Sequence, residues 1–196
     1  MHNDYIIILN RILNTYSPLG QTDAELIFNN GSIEVVRKDD IIFHEKKINA
    51  FEYFQLIGVS HRFNVDTDMQ TVTTGIYQNE IVITPHFTRT TNDKSIFSLQ
   101  ALTECHYLKI PAGIFREISD QNLPIKMFGR AVVEKEFIRN LNFEVLFRSH
   151  NAKERLIYFR KNYPLLENII PHTIIASFLG ITPVSFSRLR NELVKK

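Results

Sequence analysis

The run PHTIIASFLGITPVSFSRLRNEL, from Pro171 to Leu193, constrains this chain most, because its small, apolar and turn residues fall where two short crossing helices need them. Ile174, Ile175, Phe178 and Leu179 recur at helical spacing and predict one buried face. Ala176 falls at the expected crossing, where a larger side chain would push the helices apart. Gly180 then ends the first helix, since a left-handed backbone there comes cheaply only to glycine. Ile181 plugs the turn. Thr182 and Pro183 read as N-cap and first residue of a second helix, because the threonine oxygen accepts a free N–H and proline has none to leave unpaired. Phe186, Leu189 and Leu193 form its buried side. Val184, Ser185, Ser187, Arg188, Asn191 and the tip around Thr182 then point outward, a small hydrogen-bonding face with an arginine that suits the major groove of double-stranded DNA. The plainer possibility is a helical hairpin that ends a globular domain.

Charge supports the first possibility. Up to Leu146 there are 14 Lys/Arg against 18 Asp/Glu, and from Phe147 to Lys196 there are 9 against 3, so a net of −4 is followed by a net of +6. The basic part is the part with the helix-turn-helix, as expected of a nucleic-acid-binding module joined to a regulatory one. The single cysteine, Cys105, excludes an intrachain disulfide, a Cys-rich zinc site and a Cys-ligated iron–sulfur cluster. No signal peptide or long apolar run is seen, so a soluble cytoplasmic protein without membrane contact is expected.

Upstream, Asp4 to Tyr16 predicts a short helix that Ser17-Pro18-Leu19 breaks. Thr22 to Glu25 resembles a capping box for a second one, which Asn29-Asn30-Gly31 stops. From Ser32 to Pro111 short β-rich runs follow closely: IEVV, DIIFHE, FEYFQLIGVSHRFNV, TVTTGIY, IVITPHF, SIFSLQAL and HYLKIP. Asp66-Thr67-Asp68-Met69 suits a hairpin connection. Strands so numerous and short predict an antiparallel barrel or double-sheet roll. Ile114, Phe115 and Ile118 suggest a short helix, and Asn122-Leu123-Pro124 punctuates before a long one from Ile125 to about Ser149. Its apolar residues, Phe128, Val132, Val133, Phe137, Leu141, Val145 and Leu146, cover more than one stripe, which predicts packing on the roll and on a second copy of the chain. Asn151 to Glu154 opens another helix that Tyr163-Pro164 stops. The fold class is therefore α+β: an antiparallel, jelly-roll-like β-roll with flanking helices, a long dimerisation helix and a helix-turn-helix. The boundaries are 1–122 for the sensor-like roll, 123–149 for the connecting helix and 150–196 for the helix-turn-helix domain.

The order of roll, long helix and basic helix-turn-helix, together with AKERLIYFRKNYP and IIASFLGITPVSFSRLRNEL, resembles the Crp/Fnr family of bacterial transcription regulators over nearly the whole chain. The resemblance implies a cyclic-nucleotide-binding-type roll, a homodimer through the long helix, and a second helix of the motif lying in the major groove. By position, it assigns DNA contacts to Thr182, Pro183, Val184, Ser185 and Arg188, with Arg188 meeting a guanine. Ser187 and Asn191 share that face. Where many members carry a glutamate this chain has Val184, suited to a thymine methyl, and no β-hairpin wing is expected after Lys196. Backbone phosphates then fall to Arg190, Thr173, His172, Lys195, Lys196, Arg155, Arg160 and Lys161. RNA polymerase is a further candidate partner.

The expected ligand pocket departs from the family. Thr84-Pro85-His86-Phe87 stands where cyclic-nucleotide-responsive members place a glutamate for the ribose, and Lys94-Ser95 stands where they place an arginine–serine pair. This disfavours cAMP. Thr84, His86, Arg89, Lys94 and Ser95 are instead candidates to hold an unknown anionic small molecule. The alternative class is a metal-binding, cupin-like roll using His44, His61, His86 and His106, but the spacing of a His-x-His motif with glutamate is absent. Neither a metal, a cofactor nor catalytic residues are expected. Cys105 is expected beside Leu108 and Ile110.

Overall fold

The computed structural model describes residues 2–194. Lys195 and Lys196, proposed above for phosphates, lie outside the described residues. Helix α1 (His2–Tyr16) and helix α2 (Gln21–Asn29) come first. The box that starts α2 differs from expectation: Gly20 is the N-cap, and its N–H donates to the Asp23 carboxylate at 3.2 Å.

Eight strands then form two four-stranded antiparallel sheets. The first pairs β1 (Ser32–Val36), β10 (Cys105–Pro111), β3 (Phe51–Ile57) and β6 (Ile81–Val82), in that order. The second pairs β2 (Ile41–Phe43), β9 (Ser98–Ala101), β4 (Ser60–Val65) and β5 (Thr71–Tyr77). A short ribbon of β7 (Thr90–Thr91) and β8 (Lys94–Ser95) lies apart. The predicted turn joins β4 to β5, where the Asp66 carboxylate accepts from the N–H groups of Asp68 and Gln70 and Met69 takes φ +60°.

Two local readings of the sequence are corrected. The long run from Phe51 to Val65 is two strands in different sheets, broken at Gly58, where φ is +100°. A Cβ at that position would press on the Glu104 carbonyl oxygen and sit 2.6 Å from the Cys105 sulfur. Gly58→Ala is therefore expected to cost at least about 2 kcal/mol, from the left-handed backbone and the clash together, readable as a lower urea midpoint. In the second correction, His86–Arg89 is not strand but a one-turn helix, α3. Pro85 starts it, and the buried Glu52 carboxylate takes the His86 N–H at 2.8 and 3.0 Å.

Strand alternation divides the core. Tyr53, Tyr77, Phe43, Phe97 and Tyr107 fill the roll interior, whereas Phe54, Leu56, Leu108 and Ile110 face α1, α2 and the long helix. Cys105 accordingly lies with Tyr107 in the interior, and not beside Leu108 and Ile110, which pack on the opposite layer. Helix α4 (Ala112–Gln121) leads to α5 (Leu123–Ser149), whose N-cap Asn122 accepts from the Ile125 N–H at 3.0 Å. A helix this long spans about 40 Å at 1.5 Å per residue.

Helix α6 (Ala152–Asn162) starts on Asn151 with a reciprocal box through Glu154. After a 3-10 turn at Leu166–Asn168 come α7 (His172–Phe178) and α8 (Pro183–Val194). The core of these three helices includes Val59, Ile76 and Leu102 of the roll. The Thr73 N–H donates to the Ser177 hydroxyl at 2.9 Å, so α7 docks directly on β5. No helix among the described residues is long and apolar enough to cross a membrane.

Candidate nucleic-acid interface

Helices α7 and α8 meet as the small residues require. Ala176 is fully buried at the crossing, beside Ile175, Phe178, Phe186 and Leu189. Gly180 takes φ +63°, and the Ile181 N–H returns to the Ala176 carbonyl at 3.0 Å, closing the first helix. Thr182 caps the second: its Oγ1 accepts from the Ser185 N–H at 3.1 Å and donates to the Ser185 hydroxyl at 3.0 Å.

The outward residues separate into free and engaged groups. Thr182, Val184, Ser187, Arg188, Asn191 and Thr173 are exposed, and Ser185 is half-buried. Among the described residues Arg188 makes only a long contact to Glu192, 3.9 Å, with both side chains mostly in water. That pair contributes little to stability, and a stronger anion would displace it. Arg190 is different. Its Nε donates to Glu167 at 2.5 Å, its guanidinium lies over Phe186, and Arg160 donates to the same carboxylate at 2.7 and 3.0 Å. Arg160, with Arg190, holds Glu167 below the usual carboxylate range. His172 packs on Phe186 and meets the Glu167 carbonyl at 3.2 Å. Glu167 thus clamps α6, α7 and α8 together, and Arg160 and Arg190 are spent on that clamp rather than free for phosphates. The sequence gives no sign of this, because a lone glutamate in a proline-flanked turn has no periodic partner. Lys161 is exposed, whereas Arg155 is half-buried over Phe147.

The five proposed effector residues are not brought into one pocket. Lys94 is exposed on the ribbon, and Ser95 is buried with its hydroxyl accepting from Asn49. Thr84 and His86 line different cavities. Arg89 is fully buried inside the roll, its guanidinium carbon 5.2 Å from the ring centres of both Phe43 and Tyr53. It donates to the Phe51 carbonyl, while Nε and Nη1 have no hydrogen-bond partner among the described residues. The arginine occupies interior space that an anionic ligand would need.

A cavity of about 420 Å³ does open between the second sheet and α5, lined by Arg62, Thr84, Glu136 and Asn140. Arg62 donates to Glu136 and to Asn140, both at 3.1 Å, and Thr84 donates to Glu136 at 2.9 Å. Arg139 also reaches Glu136 at 3.1 Å and lies over Tyr77. This half-buried polar network ties the roll to the long helix, and the sequence did not reveal it because its members are far apart in the chain.

The histidines are dispersed. His61 bonds Thr73 and Gln100, His86 bonds the Asn49 carbonyl, His106 bonds Tyr5, and His44 is exposed. No group of three or more His, Cys, Asp or Glu among the described residues is placed to hold a metal.

Glu52 is the most perturbed carboxylate of the roll: burial pushes it up to about 7, against Arg89 and the His86 N–H, which favour the ion. Its folded value exceeds the unfolded one, so folding binds a proton between about pH 4.5 and 7 and stability falls as pH rises through that window. Glu52→Gln, which can still accept from His86, is expected to stabilise the chain by about 2 kcal/mol more at pH 8 than at pH 5, measured by urea denaturation at both.

The architecture defines a class: a β-roll tied by one long helix to a helix-turn-helix. No family model and no curated protein matches the sequence. Solved structures do match. FixK2 of Bradyrhizobium japonicum aligns at TM-score 0.73 and 14% identity over 84% of this chain and 85% of its own. CLP of Xanthomonas campestris, a c-di-GMP-responsive global regulator, aligns at TM-score 0.73 and 10% identity over 90% and 92%. The catabolite activator protein of Thermus thermophilus aligns at 0.58 and 14% identity over 92% and 86%. These are regulators of the Crp/Fnr family, and the chain shares their fold, as the resemblance in its sequence implied.

Proposed function

We propose that this chain is a DNA-binding transcription regulator that works as a homodimer and presents α8 to the major groove of a near-palindromic site. The observation that carries the proposal is the exposed face of α8, where Arg188, Ser187, Asn191 and Val184 stand free while the neighbouring arginines are tied to Glu167. In this reading residues 1–122 sense, 123–149 connect and pair, and 150–196 read DNA in the cytoplasm. The two copies of α8 sit about 34 Å apart, one turn of DNA. A small effector, if the regulator takes one in the roll, would enter beside Arg62, Thr84, Glu136 and Asn140, because Arg89 fills the deeper interior. RNA polymerase is the further partner such a regulator would meet.

Arg188 tests the reading. Arg188→Ala is expected to lose discrimination at one base pair per half-site, on the order of 10-fold, with little change on random DNA. Binding titrations on a selected site, on its single-base variants and on random fragments give both numbers. Equal loss on specific and random DNA would remove Arg188 from base reading and leave it a phosphate contact.

A further inference from the structure

A second cavity, about 370 Å³, lies outside the roll interior, between β3, β6 and α3 on one side and α4 and α5 on the other. Its volume is within the range of small-molecule sites, about 300–1,000 Å³. The cavity beside Arg62 and Thr84 has a different lining and shares only Val133 with it.

Its walls are aromatic. Phe54 is fully buried, stacks on Phe128 at 6.2 Å and meets the edge of Phe115 at 6.0 Å, so a flat ring finds matching surfaces there. Glu52, only 7% exposed, also lines it, and its two carboxylate oxygens share one donor, the His86 N–H. A carboxylate has room for several more hydrogen bonds, and leaving those sites unused in an apolar cavity is costly. Lys126 and Asp120, also in the lining, pair with each other at 3.1 Å. That leaves Arg116 and Arg130, two exposed guanidinium groups on α4 and α5, without an ion-pair partner among the described residues. The cavity therefore combines a buried acceptor, aromatic walls and two cations outside any close ion pair among the described residues, of which Arg116 already bears on Glu52 through its charge.

We propose that this cavity binds an amphipathic aromatic acid, with its anionic group against Arg116 and Arg130, its ring against the wall that Phe54, Phe115 and Phe128 form, and a hydroxyl or N–H donating to Glu52. A purely alkyl acid fits worse, since its tail would bury Glu52 without giving it a donor. One wall is α5, so an occupant bears on how the roll holds the helix that leads to α6–α8. The site goes beyond the regulator reading and does not depend on DNA binding.

The probe is 6-hydroxynaphthalene-2-sulfonate, which carries a donor and an anion at opposite ends of a flat apolar body. Isothermal titration of the full chain is expected to give one saturable site per chain. Naphthalene-2-sulfonate, without the hydroxyl, is expected to bind about tenfold more weakly, as the loss of one hydrogen bond to a charged group implies. Gly129 lines the cavity, and a Cβ there meets nothing within 4 Å. Gly129→Leu should therefore fill the space and abolish binding while the Tm stays equal or rises, because glycine weakens a helix. Arg116→Ser together with Arg130→Ser should weaken binding at least about tenfold with unchanged Tm, since both side chains are on the surface. Absence of probe binding to the unaltered chain would overturn the proposal. So would binding unaffected by Gly129→Leu, or binding lost on altering the exposed face of α5 at Phe137, which would place the probe between subunits.

Discussion

Arg89→Ala is expected to destabilise the fold by about 3–5 kcal/mol, because it empties the centre of the roll and removes a cation from a carboxylate that cannot reach water. The guanidinium lies over the rings of both Phe43 and Tyr53, and no part of the side chain reaches solvent. Its positive charge also opposes the protonation of buried Glu52, so the variant should push Glu52 higher still. Volume and charge separate with a second substitution. Arg89→Met keeps a long unbranched chain against the two rings without burying an ion, and should recover at least half of what alanine loses. Urea denaturation of the three proteins checks both statements. An alanine variant within about 1 kcal/mol of the parent would mean that the roll collapses onto the space and that Arg89 is dispensable there.

The other large effect concerns α5. Met127, Phe137, Ile138, Leu141 and Val145 are exposed, and at 100° per residue they fall within an arc of about 100° on one side of the helix. Phe87 of α3, 63% exposed, borders a shallow groove with Val133 and Phe137 on that side. A surface of this size and composition on a long helix is what pairing of two copies would cover. Phe137→Asp combined with Leu141→Asp is expected to give a monomer by sedimentation, with secondary structure intact because both side chains already face water. Affinity for a palindromic site should then fall on the order of 100-fold, since each chain keeps only one half-site. A variant that stays dimeric would move the interface elsewhere on the chain.

What the sequence revealed follows from how local the physics is. Ala176, Gly180, Thr182 and Pro183 act within one turn of helix, and their spacing alone predicted both helices and the corner between them. Asn122 and Asn151 announced the starts of α5 and α6 in the same way. The readings that needed correction depended on distant partners. IVITPHF looks like a strand until Glu52, thirty-odd residues upstream, captures the His86 N–H and turns the chain into α3. Arg89 looked like an anion receptor because charge is usually found on surfaces. Only the aromatic rings of β2 and β3 show why it lies inside. Arg190 and Arg160 looked like free cations until Glu167 joined them. Composition also hid the two cavities, whose walls combine strands and helices far apart in sequence.

Two copies of α8 are proposed to read one DNA site together. Hydroxyl-radical footprinting of the full chain, on fragments it retains from random genomic DNA, tests this most directly. Two protected half-sites, related by a near-palindrome and centred about 10 base pairs apart, are expected. Protection of a single unpaired segment, or failure to retain any fragment at low salt, would contradict it.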